Sequence, residues 1–135
     1  MFESNYFTVE DLIKSTTAES LRIDNQPNAE IRRELRLTAC KLNFLAIIAR
    51  SCGATIRVTS GYRCPRLNEL VDGAEDSLHM QGRAVDFAVS DMEVKHKLYE
   101  VLTDPLSYRF LGICEVMECK SYLHVGFLKR IDVEE

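Results

Sequence analysis

The chain has 135 residues, 46% of them apolar and 28% charged, with a formal net charge of −4. That length predicts one domain, residues 1–135, able to bury a core without disulfides. Lys and Arg are not in excess, which argues against nucleic acid as a partner. No apolar run approaches the roughly 20 residues that span a bilayer. The five cysteines, Cys40, Cys52, Cys64, Cys114 and Cys119, contain no C-x-x-C pair. They read as reduced, mostly buried small apolar residues. The opening "MFESNYFTVEDL" has no basic n-region and no apolar h-region. The expectation is a monomer made in the cytosol without a leader, so any action outside needs another release route.

In chain order, "FTVEDLIKSTTAESL" predicts a short helix with Thr8 as its N-cap and acids in the first turn. "RIDNQPN" is a turn, broken by Asn25, Pro27 and Asn28. "NAEIRRELRLTACKLNFLAIIARSC" carries apolar residues at 31, 35, 39, 42, 45, 46 and 49, the spacing of the longest helix, which Gly53 ends. "ATIRVTSG" alternates and predicts a strand. "YRCPRLNELVDGAEDS" is a connection with one or two helical turns after Pro65. "RAVDFAV" is a second strand. Ser90 or Asp91 caps a helix, "DMEVKHKLYEVLTD", that stops at Pro105. "FLGICEVMECKSYLHVGF" predicts a hairpin turning near Lys120 and Ser121. Helices followed by an antiparallel sheet give an α+β fold class, with N-terminal helices packed on a small antiparallel sheet.

The chemistry concentrates in "DSLHMQGRAVDF". A catalytic zinc keeps three protein ligands drawn from His, Cys and carboxylate. His79 precedes Gly82 and so lies in a turn, while Asp86 lies in the strand that follows. A turn lets the two converge, where an extended chain would hold them roughly 20 Å apart. His124, in the last strand, is the candidate third ligand. His96 sits on a charged amphipathic helix and reads as a solvated surface residue. The His-x6-Asp spacing alone also fits a hydrogen-bonded turn.

"SLHMQGRAVDF" resembles the S-x-H-x-x-G-x-A-x-D signature of the zinc D-alanyl-D-alanine carboxypeptidases. That group includes L-alanyl-D-glutamate endolysins of phages and shares its zinc fold with the hedgehog signalling domain. "VTSGYRCPRLNELVDGA" is similar to the family's S-G-Y-R-[ST]-P-x-x-N-x-x-V-G-G segment, and "YLHVGF" to its W-[IV]-H-V strand. "YFTVEDLIKSTTAESLRIDNQPN" resembles the lead-in of small bacterial and phage members. The resemblance covers nearly the whole chain.

It implies Zn2+ on His79, Asp86 and His124, with Ser77 hydrogen-bonding near the metal. It also implies an Arg63 that polarises or reads a substrate carbonyl or carboxylate, as its planar fork suits. The implied substrates are peptidoglycan stem peptides with D-residues, cleaved at the cell wall after release.

The chain departs from the pattern at four positions. Ser121 stands where many members carry an acid three residues before the last histidine. Glu118, at the offset of a hedgehog glutamate, is then the expected general base, with Glu115 a second candidate that lies in the preceding strand. Tyr122 replaces a Trp and keeps an aromatic wall for substrate. Cys64 replaces Ser or Thr, and Asp72 replaces the first Gly of a pair. A module that binds wall peptide or a protein partner without cleaving it is the alternative class, and a metal-free structural protein is a third.

Overall fold

The structure is a computed structural model that describes residues 6–129. Residues 1–5, on which the leader reading partly rests, lie outside the described residues. The predicted N-terminal helix is two helices, α1 (Val9–Ile13) and α2 (Thr16–Leu21). Thr8 and Asp11 close a reciprocal capping box at the start of α1. Lys14 then turns extended, and Ser15 restarts the chain by accepting the Ala18 amide. The long helix α3 (Ala29–Ser51) starts at the Asn28 cap. It buries Leu35, Thr38, Ala39, Leu42, Leu45, Ala46 and Ala49, nearly the predicted stripe. Gly53 follows its end with φ +84.

Strand β1 (Ile56–Ser60) leads into α4 (Pro65–Leu70), which Cys64 caps through its sulfur. A 3-10 turn (Leu78–Gln81) precedes β2 (Ala84–Val89). Helix α5 (Met92–Thr103) is capped by Asp91, while the Ser90 hydroxyl accepts the Thr55 amide. Pro105 ends α5 as predicted and also starts a helix absent from the sequence reading, α6 (Pro105–Leu111). Asp104 caps it, and proline is tolerated in its first turn. The hairpin strands are β3 (Ile113–Glu118) and β4 (Leu123–Phe127).

The four strands form one antiparallel sheet in the order β1-β2-β4-β3. The α+β expectation holds. Directly opposed residues point to the same face of a sheet. One face carries Val85, Phe87, Leu123, Val125 and Phe127, which pack with Leu35, Leu42, Leu45 and Leu98 in the core. The other face carries Asp86, whose cross-strand partner is His124, and Gly126, whose partner is Ala84.

The cysteines depart from their predicted burial. All five are free, but only Cys64 is buried; Cys40 and Cys52 are exposed, and Cys114 and Cys119 lie between.

Candidate metal centre

His79, Asp86 and His124 converge. Their donor atoms all lie within 4.8 Å of one another, the one such group of three among the described residues. The 3-10 turn brings His79 in. Ser77 caps that turn by accepting the His79 amide at 3.1 Å, and Gly82 closes it at φ +74. His79 is 3% exposed, so its ring needs a partner. Its Nδ1–H donates to the Gly61 carbonyl at 2.8 Å, which turns Nε2 toward Asp86, 3.4 Å from Oδ1. A backbone carbonyl on the far nitrogen is one of the usual ways a metal-ligating histidine is oriented.

His124 is held differently. Its Nδ1–H donates to Asp86 Oδ1 at 2.7 Å and its Nε2–H to Glu115 Oε1 at 2.8 Å. Two acceptors favour the imidazolium, so its pKa is raised, first by the bond to Asp86, against burial and with help from Glu115. Burial would raise the Asp86 pKa, but the hydrogen bonds and charges of both histidines outweigh it and hold the carboxyl down to about 2.

The donor set suits zinc. Tetrahedral bonds of about 2.0–2.1 Å separate donors by roughly 3.3–3.5 Å. The 3.4 Å gap between His79 and Asp86 already fits. The 2.7 Å gap between Asp86 and His124 is a hydrogen bond. It would open by roughly half an ångström as metal replaced the proton.

Arg63 adjoins this group. Its amide donates to the His79 carbonyl at 3.2 Å. Its guanidinium donates to Asn68 Oδ1 at 2.9 Å and Ser60 Oγ at 3.3 Å. Burial lowers the Arg63 pKa while the charge of Asp86 raises it, and Ser60, which the guanidinium bonds, is the cross-strand partner of Asp86. Tyr122 is in the same field. Its phenol pKa is raised first by a hydrogen bond with Cys119 and then by the charges of Cys119 and Asp86.

Two residues that fix this geometry escaped the sequence reading. Buried Asn68 orients Arg63 and ties the loop by donating to the Ala74 carbonyl. Buried Asn25 donates to the Ile13 and Tyr62 carbonyls and accepts the Cys64 amide, so it pins both sides of Arg63. Asn68 occupies the Asn position of the P-x-x-N segment, which was a usable signal; Asn25 reads only as a turn residue.

The two glutamates sit the opposite way from expectation. Ile113 pairs with Phe127, yet Glu115 pairs with Gly126, so Cys114 is an extra residue in β3. A bulge of this kind inverts the alternation. Simple alternation from buried Ile113 would send Glu115 coreward and Glu118 to the ligand face. Instead Glu115 and Met117 share the face of Gly126 and His124, and Glu118 shares that of Leu123. Glu118 meets α5: its carboxylate is 3.2 Å from His96 Nδ1 and 3.8 Å from Lys95 Nζ. His96 is exposed as predicted, but it is this carboxylate's partner. Buried Lys95 also donates to the Cys119 carbonyl, tying α5 to the hairpin turn. Asp72 takes the strained backbone its glycine counterpart would favour, with φ 60.

The sequence profile of the family described as Peptidase M15 matches residues 5–125. A search among curated proteins returns no match.

Proposed function

Because the chain belongs to the peptidase M15 family, we propose that it is a zinc-dependent peptidase of peptidoglycan. It would hydrolyse stem-peptide bonds that involve D-amino acids, as a D,D-carboxypeptidase or an endopeptidase of the endolysin kind. The observation that carries this reading is the convergence of His79 Nε2, Asp86 Oδ1 and His124 Nδ1 beside a guanidinium. Those three side chains would hold the metal. When bound, zinc supplies Lewis acidity to the water and to the scissile carbonyl.

The remaining steps belong to side chains. Arg63, held by Asn68 and Ser60, stabilises negative charge growing on the peptide carbonyl or grips a terminal carboxylate. Ser77 holds the turn that carries His79. Tyr122 walls the substrate. A carboxylate of β3 takes the proton of the attacking water and returns it to the leaving amine. The resemblance implies Glu118 for that task. Position favours Glu115, since Glu118 is engaged on the α5 side of the sheet.

Purified peptidoglycan digested with zinc-loaded protein, followed by mass spectrometry of the fragments, tests the reading. New peptide termini next to D-residues are expected, and they should vanish with His79→Ala, Asp86→Ala and His124→Ala. Elemental analysis should find one zinc per wild-type chain, none in those variants, and full occupancy in His96→Ala.

One observation favours a second reading, a zinc-stabilised module that binds wall peptide. Glu118 is paired with α5 residues, and Glu115 is occupied by His124. Wild type that holds zinc and peptide yet releases no fragment would establish the module.

A further inference from the structure

A groove of about 510 Å³ runs along β1 from Arg57 to Arg63. Lys14 to Thr17 form one wall, and Leu67 and Val71 part of the other. None of the three candidate ligands lines it, but its end is joined to them. Ser60 pairs with Asp86 across the sheet, the Gly61 carbonyl holds the His79 ring, and the Arg63 amide holds the His79 carbonyl. The strand order makes β1 an edge strand. Its backbone from Arg57 to Thr59 bonds only toward β2 among the described residues. An edge strand of this kind offers unpaired backbone groups to an extended peptide.

The groove's charge is one-sided. Lys14, Arg57 and Arg63 face a single acid, Asp11, whose Oδ2 already accepts the Thr8 amide. Arg63 is committed to Asn68 and Ser60 at the metal end. Lys14 and Arg57 are exposed, and neither has an ion-pair partner within 4.0 Å among the described residues. Ser15, Thr17 and Thr59 line the same groove.

We propose that this groove seats an extended stretch of substrate peptide along β1, and that Lys14 and Arg57 bind a second carboxylate on it, away from the bond cleaved. The inference rests on the peptidase reading for its substrate class and deepens it: the peptides preferred are acidic ones. A free α-carboxylate on an internal glutamyl residue is such a group. Its carboxamide keeps the shape and loses the charge that Lys14 and Arg57 recognise.

The probe is the pentapeptide L-Ala-γ-D-Glu-L-Lys-D-Ala-D-Ala, fluorescently labelled, with the glutamyl α-carboxylate either free or amidated. Its binding to the zinc-loaded full chain is read by stopped-flow anisotropy before turnover. The acid form should bind at least about fivefold more tightly than the amide, as expected for a charge-assisted contact. In the Lys14→Gln, Arg57→Gln double variant the two forms should bind alike, at the affinity of the amide. Both positions are exposed, so the double variant should fold, and unchanged zinc content checks that it has. Equal binding of acid and amide to wild type, a preference that survives in the double variant, or no binding of the acid form would each overturn the proposal. Cleavage of the same peptides is scored separately. Cleavage without acid preference removes the groove and leaves the peptidase; acid preference without cleavage leaves the groove and removes the peptidase.

Discussion

Arg63 is worth isolating because its fork is already oriented before substrate arrives. Lysine keeps the charge but cannot bridge Asn68, Ser60 and a substrate oxygen together. Arg63→Lys should therefore lower kcat/KM by about tenfold or more, roughly 1.4 kcal/mol of transition-state binding. An unchanged value would make Arg63 a scaffold residue. For the two glutamates the expected results differ. Glu115→Gln should keep zinc and lower turnover by about a hundredfold, the lower range of general-base catalysis. Glu118→Gln should stay within a few fold of wild type while loosening the His96 contact. A hundredfold loss at Glu118 alone would show that its carboxylate crosses to the ligand face during catalysis. Steady-state kinetics beside zinc analysis separates these outcomes.

Among the elements, the segment from Ser60 to Cys64 is held closely against α1. A Cβ on Gly61 would lie 2.2 Å from the Leu12 carbonyl oxygen, and the Tyr62 amide already bonds that oxygen at 2.7 Å. Gly61→Ala must push the segment away from α1. A loss of about 1–3 kcal/mol is expected, read by denaturant unfolding. Zinc retention should weaken with it, because the Gly61 carbonyl orients His79. Much of this element level could be read from sequence. The stripe of α3, the alternation of β1 and the turn before Asp86 each follow from local periodicity. Helix α6 could not, since Pro105 reads equally as a stop and as a first turn, and Phe110 and Leu111 run on into apolar β3. The break between α1 and α2 turns on Ser15 acting as a cap, which nothing around it announces. The convergence of His79, Asp86 and His124 was legible because their motif fixes both residue type and spacing. The glutamates were not, because one extra residue at Cys114 reverses every side chain beyond it.

For the molecule as a whole, the shifted groups predict opposite pH responses with and without zinc. In the metal-free chain the Asp86 carboxyl sits at about 2 against an ordinary 3.8. Its contribution, roughly 2 kcal/mol, is present above the ordinary value and lost as pH falls toward the folded one. His124 has a raised pKa. Its contribution is complete below the ordinary imidazole range and lost as pH climbs through the raised value. The metal-free chain should thus melt highest at mildly acidic pH. A zinc held by His124 would need its Nδ1 bare, so the increase in Tm on adding zinc should grow as pH rises from about 6 to 8. Melting curves at stepped pH, with zinc or with chelator, read both trends. A zinc-induced increase that does not vary with pH would remove His124 from the ligand set.

The cross-strand pairing of Asp86 with His124 also bears on how the molecule comes apart. These residues lie on β2 and β4, the two inner strands, so a metal held there would rivet the sheet through its middle while its edges stay free to fray. Amide protons of Val85 and Val125 should then exchange with solvent far more slowly in the loaded protein, while those at the outer edge of β1 change little.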